Sequence, residues 1–331
     1  MNLKMMPIWE KNVNNPWNTI TPPSNDVSAR RIDHTHPLDL FWARDFHGYY
    51  LLICEVDSED RVARHKLPEL AGIDATFMPL EKKIRLILTL NENANWEMFF
   101  ALCNDLVEAT RCARSSADAV SIIQRRLVKW SDFLKKRRSG ILEEQAIRGL
   151  IGELHFIKKY LIPGFGPSAA VSFWMGPEGA AQDFSINDSA IEVKCQLGTT
   201  HPYVRISSAE QLSPQLPEMY LYVVTLGKAR ADHPDAVTLP WLVAYIRSEL
   251  EAEAPQQAER FNNLMLGLGY FDSEKYLEFS YVIADSQMFE VREGFPKIPI
   301  ESLRSGIIKV TYDISIAECL PFEKWPEWIK G

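Results

Sequence analysis

Two acidic residues are predicted to lie side by side within the segment QDFSINDSAIEVKCQ, residues 182–196. Asn187 and Asp188 suit the two-residue turn of a β-hairpin, because both residue types tolerate the positive φ that a type I′ turn requires. This turn places Asp183 directly opposite Glu192, and opposed residues on two paired strands have Cβ atoms about 4.5–5.5 Å apart. The segment therefore predicts a hairpin that brings two carboxylates together.

The same hairpin is predicted to have one polar face and one apolar face. Side chains alternate along a strand, so Glu192, Lys194 and Gln196 share the face of Asp183. The intervening residues are expected to face the core: Ile191, Val193 and Cys195. A shift of one residue in the register would exchange the two faces, so this prediction depends on the position of the turn.

These residue types in this arrangement point to metal-dependent hydrolysis. Two carboxylates in a cleft repel each other unless one is protonated or a divalent cation lies between them. Oxygen ligands with open coordination positions suit Mg²⁺ or Mn²⁺, which polarise a phosphoryl oxygen and lower the pKa of a bound water. Lys194 could hold that water or stabilise the charge that develops during attack. The alternative interpretation is an ordinary hairpin with charges on its solvent face.

A helix predicted over residues 142–161 adds a third carboxylate, Glu153. Gly149 and Gly152 lie beside it and would let the helix approach a sheet closely, so Glu153 is expected to reach the metal directly or through water. The Pro-Gly pair at 163 and 164 is predicted to end the helix. The apolar stripe of the helix comprises Ile147, Leu150, Ile151, Leu154, Ile157 and Leu161.

The elements after this helix follow a specific order. Strands are predicted at 171–175, 182–186 and 190–196, followed by a polar link whose SSAEQL sequence suits a helical turn. A buried strand is predicted at 219–226, MYLYVVTL. This order and the stretches RGLIGELHFIKKYL, WMGP, QDFSINDSAIEVKCQ and RISSAEQL resemble the PD-(D/E)XK nuclease superfamily, whose core is an αβββαβ unit.

The resemblance assigns a role to each residue of the predicted site. Asp183 matches the Asp of the motif, Glu192 its D/E residue and Lys194 its Lys, whereas Gln182 stands where the motif has proline. Glu153 matches the acid on the first helix, and Gln196 a supporting polar group. More narrowly, the chain resembles a bacterial family of unknown function that is provisionally assigned to this superfamily and often encoded near restriction–modification and phage-defence genes.

The predicted fold class is α/β (α+β), with a restriction-endonuclease-like αβββαβ core at 141–226. An arm up to about residue 37 and strands at 38–46, 47–56 and 84–90 form a β-rich domain over 1–95. A helical connector over 96–140 contains helices that begin at Trp96, capped by Asn95, and at about Ser116. An α/β extension over 227–331 completes the chain, with helices at 240–253 and 256–266 and strands at 277–284, 288–291 and 306–314.

A basic run at residues 124–138, QRRLVKWSDFLKKRR, has two interpretations. It could contact phosphates beside the cleft. It could equally be the solvated end of a helix over 116–136, where cations suit the helix macrodipole. Its cations are Arg125, Arg126, Lys129, Lys135, Lys136, Arg137 and Arg138.

Composition excludes several classes of protein. The 331 residues carry a formal net charge of −8, which disfavours a protein that coats nucleic acid. Five scattered cysteines without a CxxC pair disfavour a disulfide framework or a structural zinc site, and a cytoplasmic location fits them best. We expect no signal peptide and no membrane span. His34 and His36 lack a third ligand nearby, and no Walker A, dinucleotide-binding or GxSxG motif occurs.

The function that the sequence predicts is cleavage of DNA by an Mg²⁺-dependent or Mn²⁺-dependent endonuclease in a restriction, phage-defence or repair system. The alternative is a non-catalytic subunit with a nuclease fold that binds nucleic acid or partner proteins. A third hypothesis assigns residues 1–95 to recruitment of a helicase, ATPase, methyltransferase or other defence-system subunit. A homodimer is compatible with each of these hypotheses.

Overall fold

The computed structural model describes residues 15–57, 67–136, 140–198, 202–230 and 232–329. The contacts between residues divide the chain into two compact units. The N-terminal unit holds the described residues up to Gly140 together with Phe271–Ser273, and the C-terminal unit holds the remaining described residues from Ile141 onward. The segment predicted as a helical connector, 96–140, thus belongs to the same unit as the β-rich segment before it.

The N-terminal unit contains an antiparallel five-stranded sheet in the order β1-β2-β3-β5-β4. The strands predicted at 38–46, 47–56 and 84–90 are confirmed as β2, β3 and β5. The sequence did not predict β1 and β4, because these edge strands are largely exposed and lack a buried run. The five strands are β1 (Val27–Arg31), β2 (Asp39–Asp45), β3 (Tyr50–Asp57), β4 (Ile73–Pro79) and β5 (Lys83–Leu90).

The N-terminal arm is packed from residue 15 onward, which corrects the prediction of a loose segment up to residue 37. Trp17 is fully buried and donates a hydrogen bond from Nε1 to the carbonyl oxygen of Leu51 at 2.9 Å. Its ring stacks on those of Tyr50 and Phe99, with centroid distances of 5.1 and 5.3 Å. Burial of one large aromatic side chain outweighs the turn-rich composition around it.

Two helices complete the N-terminal unit, α1 (Trp96–Thr110) and α2 (Ser116–Lys136), and both were predicted. Asn95 occupies the N-cap position of α1, but its side chain makes no capping hydrogen bond. Ser115 Oγ accepts a hydrogen bond from Asp118 N at 3.1 Å before the first turn of α2. Among the helices that the structure describes, none is long and apolar enough to cross a lipid bilayer.

The C-terminal unit is built on a five-stranded sheet in the order β10-β11-β9-β7-β6, in which β7 and β9 are parallel and the other neighbours are antiparallel. A separate two-stranded sheet joins β12 to β8. The strands are β6 (Phe184–Ile186), β7 (Ser189–Leu197), β8 (Tyr203–Ile206), β9 (Glu218–Lys228), β10 (Val237–Thr238), β11 (Ser280–Glu290) and β12 (Tyr312–Ser315).

The longer helices of the C-terminal unit pack against one face of the larger sheet, and the β8–β12 sheet packs against the other together with the short helix Ile316–Cys319. The helix α3 (Glu144–Phe156) contributes much of the first layer, together with a π-helical turn at Ile157–Leu161. Both faces of β7 are therefore covered, as its nearly continuous burial requires. The remaining helices are α4 (Ile162–Ser172), α5 (Leu239–Glu253), α6 (Pro255–Gly267) and α7 (Ile316–Cys319).

The mixed α/β fold class is confirmed, but several element predictions in this unit are corrected. Pro163 and Gly164 do not end the helix, because Pro163 lies in the first turn of α4, where a missing N–H costs little. No strand forms at 171–175. Val171 lies in the last turn of α4, and Trp174 makes an isolated β-bridge with Phe184.

Other corrections concern the length of elements. The SSAEQL sequence forms a short 3₁₀ turn, Ala209–Leu212, and the strand β8 before it was not predicted. The strands predicted at 277–284 and 288–291 form one strand, β11, with an irregularity between Ile283 and Asp285. The strand predicted at 306–314 is reduced to β12. Short elements with mixed composition leave a weak periodic signal.

Candidate functional site

The hairpin β6–β7 has the predicted register. Ile186 pairs with Ser189 and Phe184 with Ile191, so Asp183 enters the hairpin beside Glu192. Asn187 has a positive φ of 51°, whereas Asp188 is not among the described residues with positive φ, so the turn is not the expected type I′. The predicted core face is also confirmed for two residues, because Ile191 is fully buried and Val193 is 7% exposed.

Asp183 and Glu192 are each held by the strand β7. Asp183 Oδ2 accepts a hydrogen bond from the backbone N of Val193 at 2.8 Å. Glu192 is 1% exposed, and its Oε1 accepts a hydrogen bond from Lys194 Nζ at 2.5 Å. Lys194 thus shares the face of Glu192, as the alternation of β7 predicts.

Glu153 reaches the same cleft from α3. Its Oε2 accepts a hydrogen bond from the indole Nε1 of Trp174 at 2.7 Å. The close approach of α3 to β7 depends on Gly152, since a Cβ there would lie 3.3 Å from Val193 Cγ1 and 3.4 Å from Cys195. Gly149 is different, because no atom lies within 4 Å of the position a Cβ would take.

The three carboxylates line a cleft of about 620 Å³ in the C-terminal unit. Glu192 forms part of its floor, whereas Glu153 and Asp183 keep partial exposure. Cationic and polar side chains complete the lining, so the cleft can accept an anionic ligand near the carboxylates. These side chains include Arg148, Lys194, Tyr203, Arg205, Ser207 and Gln211.

Burial raises the pKa values of all three carboxyl groups, and repulsion by Asp183 adds to the rise at Glu192 and Glu153. Burial, followed by the charge of Asp183, raises the pKa of Glu192 to about 8. Burial raises the pKa of Asp183 above its usual range. Burial, followed by the charge of Asp183, also holds the pKa of Glu153 well above its usual range. The described residues of the site therefore supply too little positive charge to favour the ionised form of all three acids.

The residues present fit a divalent cation. Glu192 Oε2 is buried and has no hydrogen-bond partner among the described residues, and such an orphaned atom costs free energy unless a ligand satisfies it. The ligands would be Asp183 and Glu192, with Glu153 directly or through water. Among the described residues no group of three or more His, Cys, Asp or Glu side chains is placed so that it could hold a metal ion as it stands, so the carboxylates would have to draw closer together and water or substrate would have to supply further ligands.

Residues 13–317 match the model of a protein family described as "Putative PD-(D/E)XK family member, (DUF4420)". The match extends over nearly the whole chain and over both units. The chain belongs to this family. Comparison with the curated proteins and with the solved structures returned no match.

Membership of this PD-(D/E)XK family confirms the resemblance drawn from the sequence. Gln196, which matches the supporting polar group of the motif, donates a hydrogen bond from Nε2 to Thr225 Oγ1 at 3.1 Å and lines the cleft. Its Oε1 is buried without a hydrogen-bond partner in the described structure. Gln196 therefore has an amide oxygen whose hydrogen-bonding capacity is not satisfied in the described structure.

Residues 124–136 of the basic run lie in α2, in the N-terminal unit. Arg125, Lys129 and Lys135 are exposed. Arg126 is 6% exposed and forms a salt bridge with Asp105 at 2.9 Å, so we remove it from the predicted phosphate contacts. Arg137 and Arg138 lie outside the described residues, as does the side chain of Lys136.

His36 is not half of a metal-binding pair with His34. It is buried, its Nε2 lies 2.9 Å from the carbonyl oxygen of Val107, and its Nδ1 accepts a hydrogen bond from Leu38 N at 3.0 Å. Both ring nitrogens thus serve the packing of the N-terminal unit.

Three residues of the site were missed by the sequence interpretation: Trp174, Gly176 and Gln211. A Cβ at Gly176 would lie 2.9 Å from Asp183 Oδ1 and 3.6 Å from Glu153 Oε2. Gln211 Oε1 accepts a hydrogen bond from Lys194 Nζ at 3.2 Å. The signal was available, since Trp174 and Gly176 lie in the WMGP stretch and Gln211 in RISSAEQL, both of which carried the family resemblance.

Proposed function

We propose that this protein hydrolyses phosphodiester bonds in DNA with the help of Mg²⁺ or Mn²⁺ bound by Asp183, Glu192 and Glu153. The observation that carries the proposal is the state of Glu192. Its carboxyl group is buried beside two other acids, and one of its oxygen atoms has no hydrogen-bond partner in the described structure. A folded protein tolerates that arrangement when a cation offsets it during function.

Each residue of the site has a role in the proposed reaction. The cation, when bound, would polarise a phosphoryl oxygen and lower the pKa of water. Lys194 places its ammonium group next to Glu192, with the side chain 16% exposed to the cleft. From there it can stabilise negative charge on a phosphate oxygen or orient the attacking water. Gln196 supports this set from the end of β7.

The negative net charge of the chain supports a role for partner proteins. A net charge of −8 disfavours tight non-specific binding of DNA, which supports delivery of the substrate by a helicase, ATPase, methyltransferase or other subunit of a restriction, phage-defence or repair system. The exposed members of the basic run, Arg125, Lys129 and Lys135, are proposed phosphate contacts.

Binding of Mn²⁺ tests the site without requiring the natural DNA substrate. Calorimetry of the wild type should detect binding that Asp183→Ala weakens by more than about tenfold, because one of the two charges that hold the ion is removed. Glu278→Ala, at an exposed acid, is the matched control. Equal affinity in the wild type and in Asp183→Ala would contradict the proposal.

Cleavage of plasmid and of single-stranded DNA with Mg²⁺ tests the reaction. Lys194→Ala should retain Mn²⁺ binding and lose about 10²–10³ in rate, the usual cost of one electrostatic contact to a transition state. Lys309→Ala, at an exposed lysine, should cleave like the wild type. Cleavage at the wild-type rate by Lys194→Ala would remove Lys194 from the reaction. Mn²⁺ binding without cleavage of any DNA would instead favour the non-catalytic subunit.

A further inference from the structure

Gln211 makes two hydrogen bonds through one oxygen atom at the edge of the cleft. Its Oε1 accepts from Lys194 Nζ at 3.2 Å and from the backbone N of Ser207 at 2.7 Å. Lys194 therefore has two protein acceptors, Glu192 and Gln211, on different elements of the C-terminal unit. The sequence interpretation treated the segment that carries Gln211 as a polar link.

We infer that Gln211 is a positioning residue that fixes the ammonium group of Lys194 in the cleft. The effect of Gln211 on catalysis rests on the proposed nuclease function. Its effect on the position of Lys194 does not depend on that function. Gln211 acts through Lys194 and need not contact the cation or the reacting phosphate.

The orientation of the Gln211 amide is determined by its neighbours. A backbone N–H and a lysine ammonium are both donors, so the atom between them must be the oxygen and not the amide nitrogen. The two donors would each be left without this acceptor if the amide were reversed. Ser207 N therefore locks the rotamer that presents an acceptor to Lys194.

The short turn that carries Gln211 is itself anchored. Ala209 and Leu212 are buried at 1% and 0% exposure, and Leu212 belongs to the core between β9 and the β8–β12 sheet. Gln182, which immediately precedes Asp183, donates a hydrogen bond from Nε2 to the carbonyl oxygen of Glu210 at 2.6 Å. The turn is thus tied to the core on one side and to the Asp183 segment on the other.

A second acceptor matters because Glu192 has two tasks in the proposed site. A cation bound by Glu192 would compete with Lys194 for the charge of that carboxylate. The neutral amide of Gln211 is not a proposed ligand of the cation, so its bond to Lys194 persists while Glu192 is engaged. Gln211 would then keep the ammonium group from turning towards the cation-binding carboxylates or out to solvent.

The placement of Lys194 can be measured by its reactivity towards acetic anhydride, with mass spectrometry to quantify acetylation at each lysine. Gln211→Met keeps the size of the side chain and removes the acceptor. We expect acetylation of Lys194 to become about three- to tenfold faster in this variant, the effect of losing one hydrogen bond. Lys309, which is exposed, provides the reference rate within the same protein.

Two further variants separate positioning from a merely structural role. Gln211→Glu keeps an acceptor for both Lys194 and Ser207 and should restore slow acetylation. Glu210→Gln, at the neighbouring residue of the same turn, should leave the rate unchanged. If Gln211→Met does not fold, as judged by its thermal midpoint, Gln211→Asn serves in its place, because it shortens the reach to Lys194 while keeping an amide.

A Lys194 acetylation rate within about twofold of the wild type in a folded Gln211→Met or Gln211→Asn variant would overturn the inference. Failure of the proposed function gives a different pattern. Lys194 would then become more reactive in Gln211→Met, but neither the wild type nor any variant would cleave DNA. If the wild type does cleave DNA, Gln211→Met should lower kcat and leave the Mn²⁺ affinity unchanged.

Discussion

Glu192 is a buried acidic side chain whose hydrogen bonding is incomplete in the described structure. Its side chain is 1% exposed, yet one carboxyl oxygen atom lacks a hydrogen-bond partner in the described structure. Lys194 compensates part of the charge through the other oxygen. The remaining cost is expressed as the raised pKa of Glu192, about 8, because a protonated acid is easier to bury than a carboxylate.

This pKa predicts how the stability of the metal-free protein depends on pH. The folded state keeps a proton on Glu192 up to about pH 8, whereas the unfolded state loses it near the ordinary value of 4.5. The stabilising contribution is therefore present at low pH and is lost as the pH rises through this window. In EDTA, the thermal midpoint of the wild type should fall from pH 5 to pH 8.

Glu192→Gln should reduce this decline, because glutamine cannot titrate. Each unit of pKa difference corresponds to about 1.4 kcal/mol. The difference between 4.5 and about 8 therefore corresponds to at most about 5 kcal/mol, and we expect Glu192→Gln to remove a few kcal/mol of the decline between pH 5 and pH 8. Asp183 and Glu153 would still contribute some decline, since their pKa values are also raised. Glu278→Gln is the control at an exposed acid. Identical pH dependence in the wild type and Glu192→Gln would contradict the assignment.

At the scale of elements, the site depends on how closely α3 approaches β7. A Cβ at Gly152 would lie 3.3–3.4 Å from side-chain atoms of Val193 and Cys195, so these neighbours would have to move by a few tenths of an ångström to accept a methyl group. Gly149, one turn earlier on the same helix, faces open space. The two glycines therefore provide a matched pair for testing the approach.

Gly152→Ala should lower the free energy of unfolding of the C-terminal unit by about 1–3 kcal/mol, because the added methyl group overpacks a buried contact. Gly149→Ala should be neutral or should raise it by up to about 1 kcal/mol, since alanine favours the helix more than glycine does. Urea denaturation of both variants checks the two signs. Equal effects of the two substitutions would show that α3 does not press on β7 at Gly152.

The turn after α4 is a second element that shapes the site. The backbone N of Met175 and that of Gly176 donate hydrogen bonds to the carbonyl oxygen of Asp183, at 2.8 and 3.0 Å. Trp174, from the same turn, holds the carboxylate of Glu153. This segment thus positions two of the three proposed ligands although it contributes none.

Gly176→Ala should weaken Mn²⁺ binding on the order of tenfold, because its Cβ would displace Asp183 Oδ1 from its present position. Gly164→Ala, at a glycine with open space around its Cβ position, is the control. Calorimetry with Mn²⁺ and a thermal scan on both variants separate an effect on the site from an effect on folding. Unchanged affinity in a folded Gly176→Ala variant would refute the tight packing around Asp183.

At the scale of the whole molecule, the chain has two units with their own buried clusters. Ala43, Leu51 and Ile53 form such a cluster in the N-terminal unit, whereas the three carboxylates and the cleft lie in the C-terminal unit. A ligand that binds a single unit stabilises that unit directly. Separate cores also permit separate unfolding transitions.

Differential scanning calorimetry should therefore show two transitions, of which Mn²⁺ raises only one. An ion concentration about 100 times the dissociation constant corresponds to about 2.7 kcal/mol of added stability in the binding unit. Asp183→Ala should reduce the shift by about half or more and leave both transitions in place. A shift of both transitions would contradict the location of the site within one unit.

Much of the site was determined by local sequence. The alternation from Ile191 to Gln196 and the turn at Asn187 were sufficient to predict the register of β6 and β7 and the faces that Glu192 and Lys194 share, because strand periodicity is a local property. Long periodic segments such as α2 and α5 were predicted for the same reason. The edge strand β1 was not, since edge strands need not bury an apolar run.

Only the tertiary structure decided which distant residues complete the site. Trp174 was predicted to lie on a strand, yet it follows a helix and holds Glu153. Gln211 lies in a segment that was predicted to be a polar link with a helical turn, and the sequence did not indicate its contact with Lys194. Arg126 looks in the sequence like its exposed neighbours but is buried against Asp105. The burial of Glu192, and with it the proposed need for a cation, is also a property of the packed structure and not of the strand alone. Periodicity reports which face of an element a residue occupies, but only packing decides what covers that face.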